Sequence, residues 1–221
     1  MARLPRLTLG ALPHYVVQAA VHGQPLAPAD EDRRALLQAL QAAADAQQIT
    51  LWGYAVLERE LHLLLLPPDS QALGRAMQRL GRQYVPAFNR RHGRQGALWA
   101  GRYRAAVLQP GDWVLAALRR IDGLARAQGA WSSTAHHLGL ARDPLLAEPP
   151  ELWALGNTPF DRESAYRALL DQGLPPEREA ELARAVHGAW VLGGSDFVAS
   201  AAARSGRPAV PRSPGRPRRV A

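Results

Sequence analysis

The sequence predicts an α+β fold, because strand-like runs and segments of helical periodicity follow one another in its first 130 residues without the regular alternation of a parallel α/β protein. Residues 14–21 form a short run rich in β-branched and aromatic side chains, which is typical of a strand. Residues 30–47 are rich in Ala and Leu, with the apolar positions at helical spacing. A strand followed by a helix is therefore the predicted start of the fold.

The next two runs are predicted to be paired strands. Residues 49–57 and 61–66 are both largely apolar, and a short polar turn joins them. Pro67 and Pro68 follow at once, and they end the pair because proline has no N–H group to donate to a neighbouring strand.

A helix, a strand and another helix complete the predicted core. Ser70 is the predicted cap of a helix that runs to about Arg91, since its apolar residues share one face. These are Leu73, Met77, Leu80, Tyr84 and Phe88. Residues 102–109 suit a fourth strand and 111–127 another helix. The order β-α-β-β-α-β-α resembles a ferredoxin-like βαββαβ sandwich with an added helix.

The sequence pattern of the chain changes beyond Trp131. Short helical pieces predict a mainly helical C-terminal extension, and the segment from Arg204 is rich in Arg, Pro, Gly and Ser, which predicts a flexible tail. The predicted organisation is a domain of residues 1–137, an extension of residues 138–203 and a basic tail of residues 204–221.

Composition excludes several classes of protein. The chain has 221 residues, 47% of them apolar, which is enough for one domain with a core and an appendage. It has no cysteine, so disulfides and thiol chemistry are excluded and a reducing cytoplasm is the expected location. No apolar run reaches the length of a membrane span, and no signal-peptide-like segment follows the first residues.

The basic residues indicate a nucleic-acid partner. The net charge is +8, and all 27 basic residues are arginines, the residue type that recognises phosphate and guanine with two parallel hydrogen bonds. Residues 70–111 contain no Asp or Glu, and aromatic residues lie between their arginines, as in proteins that bind phosphates and stack unpaired bases. The predicted DNA-binding residues here are Arg75, Arg79, Arg82, Tyr84, Arg90, Arg91, Arg94, Arg102, Tyr103 and Arg104. A solvated basic helix face with core aromatic residues is the alternative.

The tail offers a second basic segment. Six arginines follow residue 203, again without an acidic residue. Gly215, Arg216 and Pro217 match the core of minor-groove hooks, in which an extended Arg enters a narrow A·T groove. A general phosphate-binding arm is the alternative for Arg216.

Glu60 and His62 form a possible two-ligand metal platform. Side chains alternate along a strand, so these two point to the same side, roughly 7 Å apart along the chain. A carboxylate and a neutral imidazole can hold a divalent cation that polarises a phosphate. Solvated polar residues at a strand end are the competing interpretation.

Taken together, an ordered set of motifs resembles the REP-associated tyrosine transposases, which belong to the single-tyrosine HUH (IS200-like) transposases. The matching segments are residues 1–6, 12–16, 53–57, 62–65, 81–93, 98–104 and 131–133, and the resemblance resumes at residues 152–156, 166–169 and 215–217. The resemblance implies a ferredoxin-like core and binding of hairpin-forming single-stranded DNA beside REP palindromes. It also implies strand cleavage by a tyrosine hydroxyl, with a divalent metal held by two histidines and a polar residue of the tyrosine helix.

The sequence departs from this family at the catalytic positions. Glu60 stands where the resemblance expects the first metal histidine, and only His62 matches the second. Arg120 stands at the expected position of the nucleophilic tyrosine, and Leu124 stands where a polar ligand is expected one turn later. Tyr103 and Tyr84 are the candidates for a displaced nucleophile, with core or base-stacking roles as the alternative for both.

The sequence therefore predicts a DNA-binding protein of this transposase type with a degenerate active site and no strand cleavage. The predicted partner is hairpin or single-stranded, REP-like DNA, and the oligomeric state stays open. Any Mg²⁺ or Mn²⁺ at Glu60 and His62 is expected to bind weakly. An active, metal-dependent transposase is the alternative function, and an RNA-binding or structural remnant is a third.

Overall fold

The computed structural model describes residues 6–211, which fold around one six-stranded sheet with the strand order β5-β2-β3-β1-β4-β6. The strands are β1 (His14–Ala19), β2 (Thr50–Val56), β3 (Glu60–Leu66), β4 (Arg104–Leu108), β5 (Trp131–Ser132) and β6 (Val191–Leu192). The helices are α1 (Asp30–Asp45), α2 (Ala72–Arg91), α3 (Asp112–Gln128), α4 (Thr134–His137), α5 (Pro150–Trp153), α6 (Pro159–Gln172), α7 (Pro176–Gly188) and α8 (Ser195–Ser205). Among these, no helix has both the length and the apolar character that crossing a bilayer requires.

The four central strands confirm the predicted ferredoxin-like order. β1 pairs antiparallel with both β3 and β4, and β2 pairs antiparallel with β3. The register places Val17 opposite His62 on β3 and opposite Arg104 on β4. Directly opposite residues of an antiparallel pair project to the same side of the sheet, so these three side chains share one face.

Alternation along β3 divides the core between the two faces of the sheet. Leu61, Leu63 and Leu65 pack with α1 and α2, whereas Leu64 and Tyr15 of β1 pack with α3 and the helices of the extension. The added helix therefore covers the face that α1 and α2 leave open. Each face is closed by a separate apolar cluster, which accounts for the nearly continuous apolar run of β3.

Two short edge strands and the start of α2 differ from the sequence prediction. β5 pairs antiparallel with β2, and β6, from the predicted helical extension, pairs parallel with β4. Two-residue strands carry no periodicity, so the sequence pattern missed both. The predicted cap Ser70 is wrong: the Asp69 carboxylate accepts hydrogen bonds from the N–H groups of Gln71 and Ala72 instead.

The predicted flexible tail begins too early in the chain. α8 continues through Ser205, and Ala209 is buried against Leu7, Val107 and Val191. Apolar positions among the Arg and Pro residues make this packing possible. Residues 1–5 and the remainder of the tail, with Arg216, lie outside the described residues.

Asp122 of α3 joins the extension to the sheet. Its buried carboxylate accepts hydrogen bonds from four groups: Ser133 Oγ (3.0 Å), Thr134 Oγ1 (3.1 Å), His137 Nδ1 (2.7 Å) and Tyr166 Oη (2.7 Å). His137 Nε2 donates to the carbonyl of Trp52 at 2.8 Å, so both ring nitrogens carry a proton. Burial opposes a charged imidazole, but the Asp122 carboxylate outweighs it and raises the pKa of His137.

Candidate nucleic-acid interface

Three arginines form a stripe along the exposed side of α2. Arg79, Arg82 and Arg90 are separated by three and eight residues, which places them on one face of the helix along roughly 16 Å of its length. All three are exposed, and none forms a hydrogen bond or an ion pair with any residue in 6–211. Arg102, in the loop before β4, is likewise exposed and without such a partner in that range. These four guanidinium groups have their donors available for phosphate.

The other four predicted arginines already have partners. Arg75 forms an ion pair with Asp69 at 2.8 Å and also donates to Gln47 and Gln71. Arg91 pairs with the buried carboxylate of Asp32, which also accepts from His92 and from the backbone at the start of α1. Arg94 donates to Asn89 and Ala97, and Arg104 donates to the carbonyl of His187. These contacts reduce the number of donors each can offer to DNA.

The aromatic side chains of residues 70–111 lie mainly inside the protein. Tyr84 is 1% exposed, and its hydroxyl donates to the carbonyl of Leu26 at 2.7 Å. Phe88 is fully buried beside it. Tyr103 is 7% exposed, with the guanidinium of Arg6 4.3 Å from its ring centre. Within this part of the described chain, Trp99, which is half-buried, and His92, which is exposed, offer a ring surface to a base.

Glu60, His62 and Arg120 lie together on the α3 face of the sheet. His62 is 2% exposed; its Nε2 lies 2.9 Å from a Glu60 carboxylate oxygen and its Nδ1 lies 2.6 Å from the hydroxyl of Tyr15. Arg120 Nε donates to the same hydroxyl at 3.1 Å, and Arg120 also forms an ion pair with Glu179 of α7.

One proton arrangement is consistent with all three of these hydrogen bonds. Arg120 donates to the Tyr15 oxygen, Tyr15 donates to His62 Nδ1, and His62 Nε2 donates to Glu60. The hydrogen bond from His62 is the main reason that the pKa of Glu60 lies below its usual range. Burial raises the pKa of Tyr15 to about 12, against an opposing effect of the Arg120 charge.

This arrangement fits a divalent metal ion poorly. Glu60 and His62 offer one oxygen and one nitrogen, and residues 6–211 contain no cluster of three or more His, Cys, Asp or Glu side chains with metal-binding geometry. Both nitrogens of His62 already have hydrogen-bond partners. The fixed positive charge of Arg120 in the same network further opposes a cation.

The candidate replacements for the nucleophile lie on the other face of the sheet. Tyr84 and Tyr103 belong to the apolar cluster of α1 and α2, whereas His62 contacts Tyr15 in the cluster of α3.

Sequence reasoning missed Tyr15 and Glu179, which complete the network around Arg120. Tyr15 was visible two positions after Pro13 in a predicted strand, but no sequence signal linked it to residue 120.

A trough at one end of the sheet connects the two faces. Two open cavities, of about 580 and 430 Å³, share Arg6, Gln18, Gly101, Arg102 and Tyr103 in their walls. The larger also reaches the start of α2, and the smaller reaches Glu60 and the end of α7. The trough thus runs from the helix that carries the arginine stripe toward the Glu60–His62 pair.

Comparisons with known proteins show similarity in fold. No protein-family model matches this chain, and no curated protein matches it. Its structure is similar to that of a REP-associated tyrosine transposase bound to a REP hairpin, with a TM-score of 0.54 and 12% identity over 68% of this chain and 93% of that one. It also matches a provisionally described transposase from Deinococcus radiodurans R1, at 22% identity over 47% of this chain and 84% of that one, but the TM-score of 0.33 is too low to support an argument. The first likeness confirms the predicted resemblance at the level of the fold.

Proposed function

We propose that this protein binds hairpin-forming or single-stranded DNA of the REP type and does not cleave it. The observation that carries the proposal is the stripe of Arg79, Arg82 and Arg90, three exposed guanidinium groups without a hydrogen-bond or ion-pair partner in residues 6–211. A linear set of unpaired arginines on a helix matches the spaced charges of a nucleic-acid backbone. The similar transposase structure contains a REP hairpin, which supports DNA as the partner.

The chemistry around Arg120 supports the proposed absence of cleavage. Strand cleavage by a tyrosine needs a hydroxyl that can reach a phosphodiester beside a metal ion. A guanidinium cannot serve as that nucleophile, and it occupies the side of α3 that faces His62. Within the described chain, Tyr15 supplies the only hydroxyl hydrogen-bonded to His62, but it is fully buried and has its pKa raised to about 12.

A cleaving transposase is the second candidate, because the contact between Tyr15 and His62 does place a tyrosine hydroxyl beside the expected metal position. For Tyr15 to react, the network with Arg120 would have to open and α7, which carries Glu179, would have to move away. This requirement makes cleavage the weaker candidate.

A single incubation tests both halves of the proposal. REP-type hairpin DNA is mixed with the full chain and Mg²⁺ or Mn²⁺, and the sample is scored for a mobility shift and for a covalent protein–DNA adduct. We expect a shift without an adduct. A phosphotyrosyl adduct that disappears in Tyr15→Phe would establish the transposase instead, whereas a stronger shift with matched RNA would favour an RNA-binding protein.

A further inference from the structure

The extension of residues 138–203 has the opposite charge to the rest of the chain. It contains ten acidic residues and five arginines, whereas residues 1–137 contain sixteen arginines and nine acidic residues. Two carboxylates of the extension, Glu148 and Glu163, form no hydrogen bond or ion pair with any residue in 6–211. The extension therefore presents unpaired negative charge on a protein whose net charge is +8.

The same extension exposes two aromatic side chains. Trp153, the last residue of α5, is 57% exposed, and Phe160, in the first turn of α6, is 77% exposed. Glu163 follows Phe160 by one helical turn, on the same face of α6. The guanidinium of Arg162 lies 4.1 Å from the centre of the Trp153 ring, so this ring already accepts an arginine. We call Glu148, Trp153, Phe160 and Glu163 the acidic aromatic surface.

The last described residues of the chain run alongside β6. Arg207 Nη2 donates to the carbonyl of Ala189 at 3.1 Å, and the carbonyl of Ala209 accepts from the N–H group of Val191 at 2.9 Å. Two steps of two residues on each segment match, so residues 207–211 and β6 have the same direction. The chain beyond Pro211 is therefore directed toward the end of the sheet at which β6 stops.

Helix α5 lies close to that end of β6. The N–H group of Gly194, two residues after β6, donates to Gln109 Oε1 at 2.7 Å. The N–H group of Gly111 donates to the carboxylate of Glu151 in α5, also at 2.7 Å. Residues 212–221, which we call the Arg/Pro segment, can span up to about 33 Å when extended. The segment is long enough to follow this short series of contacts to the acidic aromatic surface.

The Arg/Pro segment has the sequence pattern of a polyproline II ligand. It contains four arginines and no acidic residue, and Pro214 and Pro217 are three residues apart. Because a polyproline II helix has about three residues per turn, these two prolines would share one edge, and Arg216 and Arg219 would share another. Proline-rich segments of this pattern dock on aromatic side chains, and arginine pairs with carboxylates. The acidic aromatic surface offers both kinds of partner.

We propose that the Arg/Pro segment docks on the acidic aromatic surface of its own chain, with its prolines against Trp153 and Phe160 and its arginines on Glu148 and Glu163. The contact assigns Arg216 to the surface of the protein and not to a groove of DNA. It goes beyond the proposed function, since it does not depend on DNA binding by the arginine stripe.

Trypsin digestion of the full chain tests the contact, because trypsin cleaves after Arg218 and Arg219 and a docked segment is protected. Cleavage of a segment that opens and closes rapidly follows its open fraction. We expect the wild-type segment to be cleaved more slowly than a free synthetic peptide of residues 212–221. Trp153→Leu should raise the cleavage rate about fivefold, since it removes the ring that the segment contacts. Mass spectrometry of short digests measures these rates.

Trp131→Leu is the matched control. It makes the same change at a half-buried ring beside Arg33 and Arg34, in β5 at the opposite edge of the sheet from β6. We expect the wild-type cleavage rate in this variant. Combined Glu148→Gln and Glu163→Gln is a second variant: it should accelerate cleavage at low salt. It should also reduce the acceleration by salt that is expected in the wild-type protein, where the Debye length falls from about 10 Å at 0.1 M to about 3 Å at 1 M.

Several results would overturn the contact. These are cleavage of the wild-type segment at the rate of the free peptide, and equal rates in Trp153→Leu and Trp131→Leu. Protection that increases with protein concentration would place the segment on a second copy, and protection that requires added hairpin DNA would place it on DNA. Each of these results rules out docking on the same chain and leaves DNA binding by the arginine stripe to its own test.

Discussion

The Nε–H group of Arg120 donates a 3.1 Å hydrogen bond to the hydroxyl of Tyr15, which in turn contacts Nδ1 of His62. A guanidinium thus contributes the positive charge in a place where the resemblance to the transposases calls for a tyrosine facing a metal ion. The contact joins α3 to β1, and the ion pair of Arg120 with Glu179 extends it to α7. The network has become part of the structural support of the extension.

Removal of Arg120 should therefore destabilise the protein. Its side chain is 13% exposed, and Arg120→Ala leaves the buried Tyr15 oxygen without its donor. We expect the free energy of unfolding to fall by about 1–3 kcal/mol in urea titrations. Arg126→Ala, which breaks the exposed pair with Asp171, should cost less than about 0.5 kcal/mol. Equal losses in the two variants would show that the Arg120 network is no stronger than a surface ion pair.

Manganese should bind weakly at Glu60 and His62. Two ligands leave most of the coordination shell to water, and the nearby guanidinium repels the ion, so a dissociation constant of about 10⁻⁴ M or weaker is expected in calorimetry. Arg120→Gln should tighten binding, because it removes the positive charge. Tight Mn²⁺ binding that is lost in Glu60→Ala would contradict this prediction and support the alternative of a metal-dependent transposase.

The arginine stripe should account for much of the salt dependence of DNA binding. Each lost phosphate contact lowers the slope of log K against log salt concentration by roughly 0.7–0.9, so the triple change of Arg79, Arg82 and Arg90 to Ala should flatten it by about two to three units. The same change at Arg126, Arg162 and Arg178 is the control of equal charge, since those three already contact Asp171, Trp153 and Trp113. If the two triple variants have the same slope, the stripe is solvated charge without a role in binding.

Stability should decline in mild acid because of His14. Burial lowers the pKa of this fully buried imidazole from 6.5 to about 4. Its Nδ1 donates to the carbonyl of Leu12 and its Nε2 accepts from the N–H group of Leu9, so a second proton on the ring would face a donor. The stabilising contribution of the neutral ring is therefore complete above about pH 6.5 and is lost as the pH falls toward 4, by about 3 kcal/mol in all.

The measurement compares unfolding free energies at several pH values between 7.5 and 4. His14→Gln should flatten the acid branch of the curve relative to the wild-type protein. His22→Gln, at an exposed histidine, should leave its shape unchanged. An acid branch that is identical in all three proteins would show that other titrating groups, and not His14, account for the loss.

Sequence patterns were sufficient for the order of the main elements because each has a long run of one periodicity. The apolar face of α2 and the apolar run of β3 identify a helix and a buried strand before any contact is known. The same reasoning located the Arg-rich segment of residues 70–111 and predicted that Glu60 and His62 point to the same side. The position of Arg120 near them came from the resemblance and not from periodicity.

Long-range pairing could not be predicted from the chain. Arg91 and Asp32 are 59 residues apart, and nothing in the local sequence separates Arg91 from the unpaired Arg90 beside it. For the same reason, the contact of Tyr15 with Arg120, 105 residues away, could not be predicted from the sequence. Which arginines are available for DNA therefore depends on tertiary contacts, and only the structure distinguishes the stripe from the engaged residues.

Asp122 has a consequence for any attempt to shorten the protein. Its carboxylate accepts a hydrogen bond from the hydroxyl of Tyr166, which belongs to the extension. It also accepts hydrogen bonds from Ser133 and His137, which lie at the edge of the sheet. A fragment ending at residue 137 would keep the charged pair of Asp122 and His137 but expose it to water, while Leu118 and Ile121 of α3 would lose their cover from α6 and α7. The predicted boundary between residues 137 and 138 is therefore a poor truncation point, because we expect the residues on both sides of it to unfold as one cooperative unit.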